Sequence, residues 1–250
     1  MARFKNGWAY IRFSEVVRQQ YRFAHPSEVA EFLRSLVDTS ASRARSIAKG
    51  FPMWRAQLGN AFRDRQIDDP DLTIIVEDAV PFPPERMKPR RNAAHEGRAN
   101  AKGIPYLYAA TDRNTAMSEV RPWIGATISL GRFASTKDLR LVDLSVGHDF
   151  QLTPDHLFGP LPDEEMEKAI WAQVDKAFST PVTDDPSTAE YVPTQVIAEV
   201  FRREGFDGLV YKSALSDGFN MTIFDLDSAE LIDCRLYKVD SVSFKFSEQT

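Results

Sequence analysis

A chain of 250 residues with 43% hydrophobic, 11% aromatic and 27% charged residues can bury a full core without a disulfide or metal staple. That composition excludes a disordered or fibrous chain, and a single cysteine, Cys234, excludes an internal disulfide and a Cys-rich zinc site. The net charge of −5 divides unevenly, basic over the first 104 residues and acidic beyond. An acidic whole argues against direct nucleic-acid binding, while the basic first half leaves room for a small anionic ligand.

The first twenty residues carry charge throughout and hold no apolar core of signal-peptide length. No apolar run approaches a membrane span, so a cytoplasmic protein without membrane contact is expected. The opening reads as helical. Pro26-Ser27-Glu28 starts a helix in which Val29, Phe32, Leu33 and Leu36 share one face, and a further helical stretch is predicted over 41–48, stopped by Gly50. Residues 72–76 form a short β-type run. Pro81, Pro83, Pro84 and Pro89 then make 77–103 a long loop, of a length that is often functional.

Strands are predicted over 106–110, 126–130 and 139–144, with a short helix around 114–122. Asp163-Glu164-Glu165 opens a helix with Met166, Ile170, Val174 and Phe178 on one face, its acidic first turn matched to the helix dipole. A polar loop over 181–186 precedes a helix over 194–204, which buries Val196, Ile197, Val200 and Phe201 and ends at Gly205. Strands over 209–211 and 220–225, and within 229–247, complete the chain. Strands and helices mix without regular alternation, which predicts an α+β fold with a mixed, largely antiparallel sheet. Residues 1–50 are expected to form a helical extension packed on a domain spanning 51–250.

The common catalytic signatures are absent: no phosphate-binding glycine loop, no dinucleotide glycine pattern and no nucleophile elbow. His25, His95, His148 and His156 lack zinc-ligand spacing, so no metal is expected, and His148-Asp149 reads as a loop pair. One stretch is dense in chemistry: Gly97-Arg98-Ala99-Asn100-Ala101-Lys102-Gly103-Ile104-Pro105-Tyr106-Leu107-Tyr108-Ala109-Ala110, continuing through Thr115-Ala116 to Glu119-Val120-Arg121. It predicts a glycine-flexed basic loop, a strand that puts Tyr106 and Tyr108 on one face, and a short helix carrying Glu119. Arg98, Tyr108 and Glu119 are expected to converge on one cleft. They offer a planar fork for phosphate, a stacking face with a polar tip, and a carboxylate for a developing cation.

These motifs resemble the RES domain, named for its arginine, glutamate and serine. The resemblance extends to Trp54-Arg55-Ala56, Gln195-Val196-Ile197-Ala198-Glu199, Gly205 through Ser213, and Gly218-Phe219-Asn220, covering about residues 52–232. It implies a fold related to ADP-ribosyltransferases and an enzyme that degrades NAD⁺ by hydrolysis or phosphorolysis, with NAD⁺ as substrate and no cofactor. It also implies a toxin paired with an Xre-like antitoxin protein; a homodimer is left open.

By motif, Arg98, Tyr108, Glu119 and Ser213 match the catalytic positions, and Arg55 and Asn220 the substrate-binding ones. Glu119 is expected to face the ribose, and Arg98 and Arg55 to clamp the pyrophosphate. Tyr108 is expected to stack on the nicotinamide or hold its ribose, and Ser213 to hydrogen-bond the substrate. Two alternatives stay open: ADP-ribosyl transfer to a macromolecule, and a catalytically silent binding protein on the same scaffold.

Overall fold

The computed structural model describes residues 4–69, 72–91, 93–180 and 188–243. Apolar spacing produces helices α1 (Ala9–Gln19) and α2 (Ser27–Thr39), which bury Phe13, Val16, Val29, Phe32 and Leu36. The chain then departs from its expected helix over 41–48. A 3₁₀ turn, Ser40–Arg43, leads instead into strand β1 (Ala44–Ile47).

Strands β2 (Pro52–Leu58), β3 (Ala61–Asp69) and β4 (Leu72–Val80) follow. β3 and β4 pair into a separate two-stranded ribbon, from Ala61 opposite Val80 to Asp69 opposite Leu72. That pairing extends β4 into the stretch expected to be loop, and helix α3 (Pro84–Met87) adds one turn within it. Next come β5 (Leu107–Ala110), α4 (Arg113–Glu119), β6 (Thr127–Ser135) and β7 (Leu139–Asp143). Helices α5 (Pro154–Phe158), α6 (Asp163–Ser179) and α7 (Val192–Arg203) precede β8 (Gly208–Lys212), β9 (Phe219–Ile223) and β10 (Ala229–Lys238). The polar loop expected over 181–186 and the end of the 229–247 segment lie outside the described residues.

Eight strands form one sheet in the order β1-β7-β8-β9-β5-β2-β6-β10. Among the described strands, β7 and β8 run parallel and the other neighbours antiparallel. The fold is therefore α+β with a mixed, largely antiparallel sheet, as its irregular alternation predicts. β1 forms because Ala44–Ile47 pairs residue for residue with Val142–Leu139 of β7 and drops Ile47 into the core. Sheet pairing here overrides a local helical pattern.

The two sheet faces carry different cores. Helices α1, α2, α6 and α7 cover one, where Phe13, Phe32, Trp171 and Phe201 pack in a cluster that includes Val142, Leu209 and Tyr211 from the sheet. Phe82 and Met87, from the proline-rich segment, cover Leu107, Phe133, Leu141 and Ile223 on the other. Tyr106 and Tyr108 belong to the first cluster and Leu107 to the second, the alternation of a strand buried on both faces. Among the described residues no helix is long and apolar enough to cross a membrane.

Candidate active site

The arginine loop is built around Asn100, which is only 2% exposed. Its amide nitrogen donates to the carbonyls of His95, Ala101 and Ile104, and its Oδ1 accepts the Tyr108 hydroxyl at 2.6 Å. The same hydroxyl accepts from the Ala99 backbone N–H at 2.9 Å. Gly97 must lack a side chain, since a Cβ there would lie 2.6 Å from the Tyr108 hydroxyl. From α7, Thr194 donates to the Arg98 carbonyl at 2.5 Å, and Gln195 donates to the carbonyls of Gly97 and Asn100. The Gln195 motif thus acts on the arginine loop from a distant part of the chain.

Helix α4 presents Glu119 in its last turn. Asp112 caps its start, accepting the Thr115 N–H at 2.9 Å and the Thr115 hydroxyl at 2.7 Å. The turn between β8 and β9 packs against this cap so closely that a Cβ on Gly218 would meet Asp112 and Thr115. Arg121 ends the helix region with φ 47°, a left-handed conformation uncommon for a side-chain-bearing residue. The Glu119 carboxylate is held from the adjoining turn and strand: its Oε1 accepts the Ser213 hydroxyl at 2.6 Å and the Asn220 amide at 2.7 Å. Ser213 in turn accepts the Leu215 N–H.

Glu119, Arg55, Tyr108, Asn220, Tyr211 and Trp54 line one cleft of about 330 Å³. Glu119 is exposed and lines this cleft. Arg55 extends from β2 and donates Nη1 to the Tyr108 carbonyl at 2.9 Å, while its buried Nε has no partner among the described residues. Burial pushes the Arg55 guanidinium below its ordinary range, and among the described residues no carboxylate opposes that shift. A desolvated cation without a counter-ion favours an anion beside it.

The structure gathers Arg55, Tyr108, Glu119 and Asn220 around one space, with Ser213 behind the carboxylate. Arg98 is not among the residues that line this cleft, and among the described residues no ion pair joins it to Glu119. The Arg98 guanidinium donates to the Phe178 carbonyl and stands 5.7 Å from the Tyr211 ring. Tyr211, which the sequence did not single out, faces the cleft and feels both charges. Burial raises its phenol above the ordinary range, with Arg98 opposing the rise and Glu119 adding to it. Tyr108 is a cleft wall whose hydroxyl is already committed to the loop, and its phenol too is raised, chiefly by burial. Asn100 and Thr194 were likewise missed as contributors. Asn100 stood inside the quoted motif, but nothing in its spacing showed that it binds three carbonyls. His148 pairs with buried Asp175 at 2.5 Å, joining its loop to α6 rather than acting with Asp149. Among the described residues no cluster of three or more His, Cys, Asp or Glu side chains could hold a metal.

A family model described as the RES domain matches residues 78–247. The chain belongs to the RES domain family. The motifs that carry Arg98, Tyr108, Glu119, Ser213 and Asn220 fall within the matched RES domain, whereas Arg55 on β2 precedes it. A solved structure, described as the M. tuberculosis MbcT–MbcA toxin–antitoxin complex, matches with a TM-score of 0.38 and 15% identity, over 82% of this chain and 92% of that one. No curated protein matches.

Proposed function

We propose that this RES domain cleaves the nicotinamide–ribose bond of NAD⁺. The observation that carries this reading is the Glu119 carboxylate, fixed by Ser213 and Asn220 at a cleft whose other wall holds the Arg55 cation, which pairs with no carboxylate among the described residues. Departure of nicotinamide leaves positive charge on the ribose carbon, as in glycoside hydrolysis. The C–N bonding pair moves to the positive nicotinamide nitrogen and neutralises it, so no strong general acid is needed. A carboxylate held in place beforehand stabilises that oxocarbenium ion without reorganising. Water or phosphate then bonds to the same carbon; with water, one proton is lost to solvent.

In this reading Arg55 grips the pyrophosphate, and the Tyr108 and Tyr211 rings form walls for the nicotinamide riboside. Ser213 and Asn220 position Glu119 rather than attack substrate. Arg98 is a positioning residue that backs Tyr211 and ties the arginine loop to α6. A toxin role, with an antitoxin protein as partner, is the biological setting that family membership supports.

Incubating the protein with NAD⁺, with and without phosphate, and identifying the products tests the reaction. Free nicotinamide with ADP-ribose supports hydrolysis, and ADP-ribose 1-phosphate supports phosphorolysis. Intact NAD⁺ after prolonged incubation contradicts the proposal, and label appearing on protein or nucleic acid moves it to ADP-ribosyl transfer.

A further inference from the structure

A second, smaller cavity of about 180 Å³ adjoins the cleft, and Trp54 lines both. Its other walls are Arg113 at the start of α4, Leu130 and Arg132 on β6, and Asp233, Arg235 and Tyr237 on β10. Arg132 pairs with Asp233 at 2.9 Å, and Arg235 reaches the same carboxylate only at 3.8 Å. Three guanidinium groups thus face one carboxylate, a local positive excess on a chain whose net charge is −5. Two aromatic rings stand among them. This combination suits a flat heterocycle bearing phosphate: rings and guanidinium planes stack on the base, and guanidinium forks bind the anion.

The size points the same way. Whole-ligand pockets occupy roughly 300–1,000 Å³, so the groove fits part of a ligand whose remainder lies elsewhere. Arg113 and Glu119 mark opposite ends of α4, about 9 Å apart along the axis at the helical rise per residue. A dinucleotide spans that distance between its two nucleosides.

We propose that this groove is the adenylate subsite, holding the adenine and its adjoining phosphate while the nicotinamide riboside lies against Glu119. The proposal rests on the NAD⁺-cleaving reading and adds to it the means by which a dinucleotide is preferred over a mononucleotide.

The test compares the wild-type protein with the double variant Arg113→Ala/Arg235→Ala. Both side chains are exposed, and neither belongs to the Glu119 site. Calorimetric titration with AMP is expected to show binding that the double variant weakens by about tenfold or more. KM for NAD⁺ is expected to rise about tenfold with kcat within about twofold, the signature of lost uniform binding. Cleavage of nicotinamide mononucleotide, which lacks the adenylate, stays unchanged. Equal AMP affinity in both proteins, or an unchanged KM, overturns the subsite while leaving NAD⁺ cleavage intact. Inorganic phosphate competing as strongly as AMP also overturns it, reducing the groove to a simple anion site. If AMP binding is lost in the variant but neither protein cleaves NAD⁺, the groove stands as a nucleotide site and the reaction assignment fails.

Discussion

At the residue scale, the site rests on who holds whom. Glu119 is useful at the cleft because Ser213 and Asn220 hold its Oε1, and Tyr108 matters as much for its hydroxyl as for its ring. Tyr108→Phe keeps the wall but strips Ala99 N–H and Asn100 Oδ1 of a shared partner. The loss is expected to be about 1–3 kcal/mol, read by denaturant unfolding, because a buried donor left unpaired costs its desolvation. An unchanged midpoint would show that the arginine loop does not depend on this hydroxyl. The motifs marked Arg55, Tyr108, Glu119 and Asn220 in the sequence, and these four do share a space. What Arg98 contacts was not legible there. Its side chain is directed by a carbonyl on α6, eighty residues away, and no local pattern encodes that contact.

At the element scale, α4 carries Glu119, the carboxylate proposed to act on substrate, and is only seven residues long, so its cap has weight. Burial pushes the Asp112 carboxyl up, but hydrogen bonds from Thr115, Asn114 and Thr111 outweigh it and leave the group below its ordinary range. A carboxyl depressed on folding stabilises the native state above the unfolded value, near 3.9, and that contribution fades as pH falls through the folded value. Asp112→Asn keeps an acceptor for the Thr115 N–H but cannot titrate. The wild-type advantage in Tm is therefore expected to be full above about pH 5 and to shrink steadily below about pH 4. A difference that stays constant through that range would contradict the assignment.

Other elements explain what periodicity missed. β2 lies between β5 and β6 yet was recognised only as a Trp-Arg-Ala motif, because its strand character depends on neighbours distant in sequence. β1 was mistaken for helix for the same reason.

At the scale of the whole molecule, the first fifty residues are bound into the fold at two places. Phe13, Val16, Val29, Phe32 and Leu36 share a cluster with Val142, Leu209 and Tyr211, and β1 forms the edge of the sheet beside β7. Each buried side chain of this kind contributes about 1.5–3 kcal/mol against a total stability of about 5–15 kcal/mol. A chain comprising residues 51–250 is therefore expected to lose its cooperative thermal transition and expose apolar surface to a hydrophobic dye. A sharp transition within about 5 °C of the full chain would show that the sheet stands without them. The α+β class and most helices were legible because they follow from local periodicity. Strand order was not, because pairings such as β2 with β6 join segments far apart in the chain.

The most direct measurement of the central claim is nicotinamide release from NAD⁺ by the wild type and by Glu119→Gln, with thermal unfolding of both recorded alongside. The amide preserves the shape and an acceptor for Ser213 and Asn220 while removing the charge. Release is expected to fall by about 100- to 1,000-fold with the unfolding midpoint unchanged. Undiminished release from a folded Glu119→Gln protein would contradict the role assigned to this carboxylate.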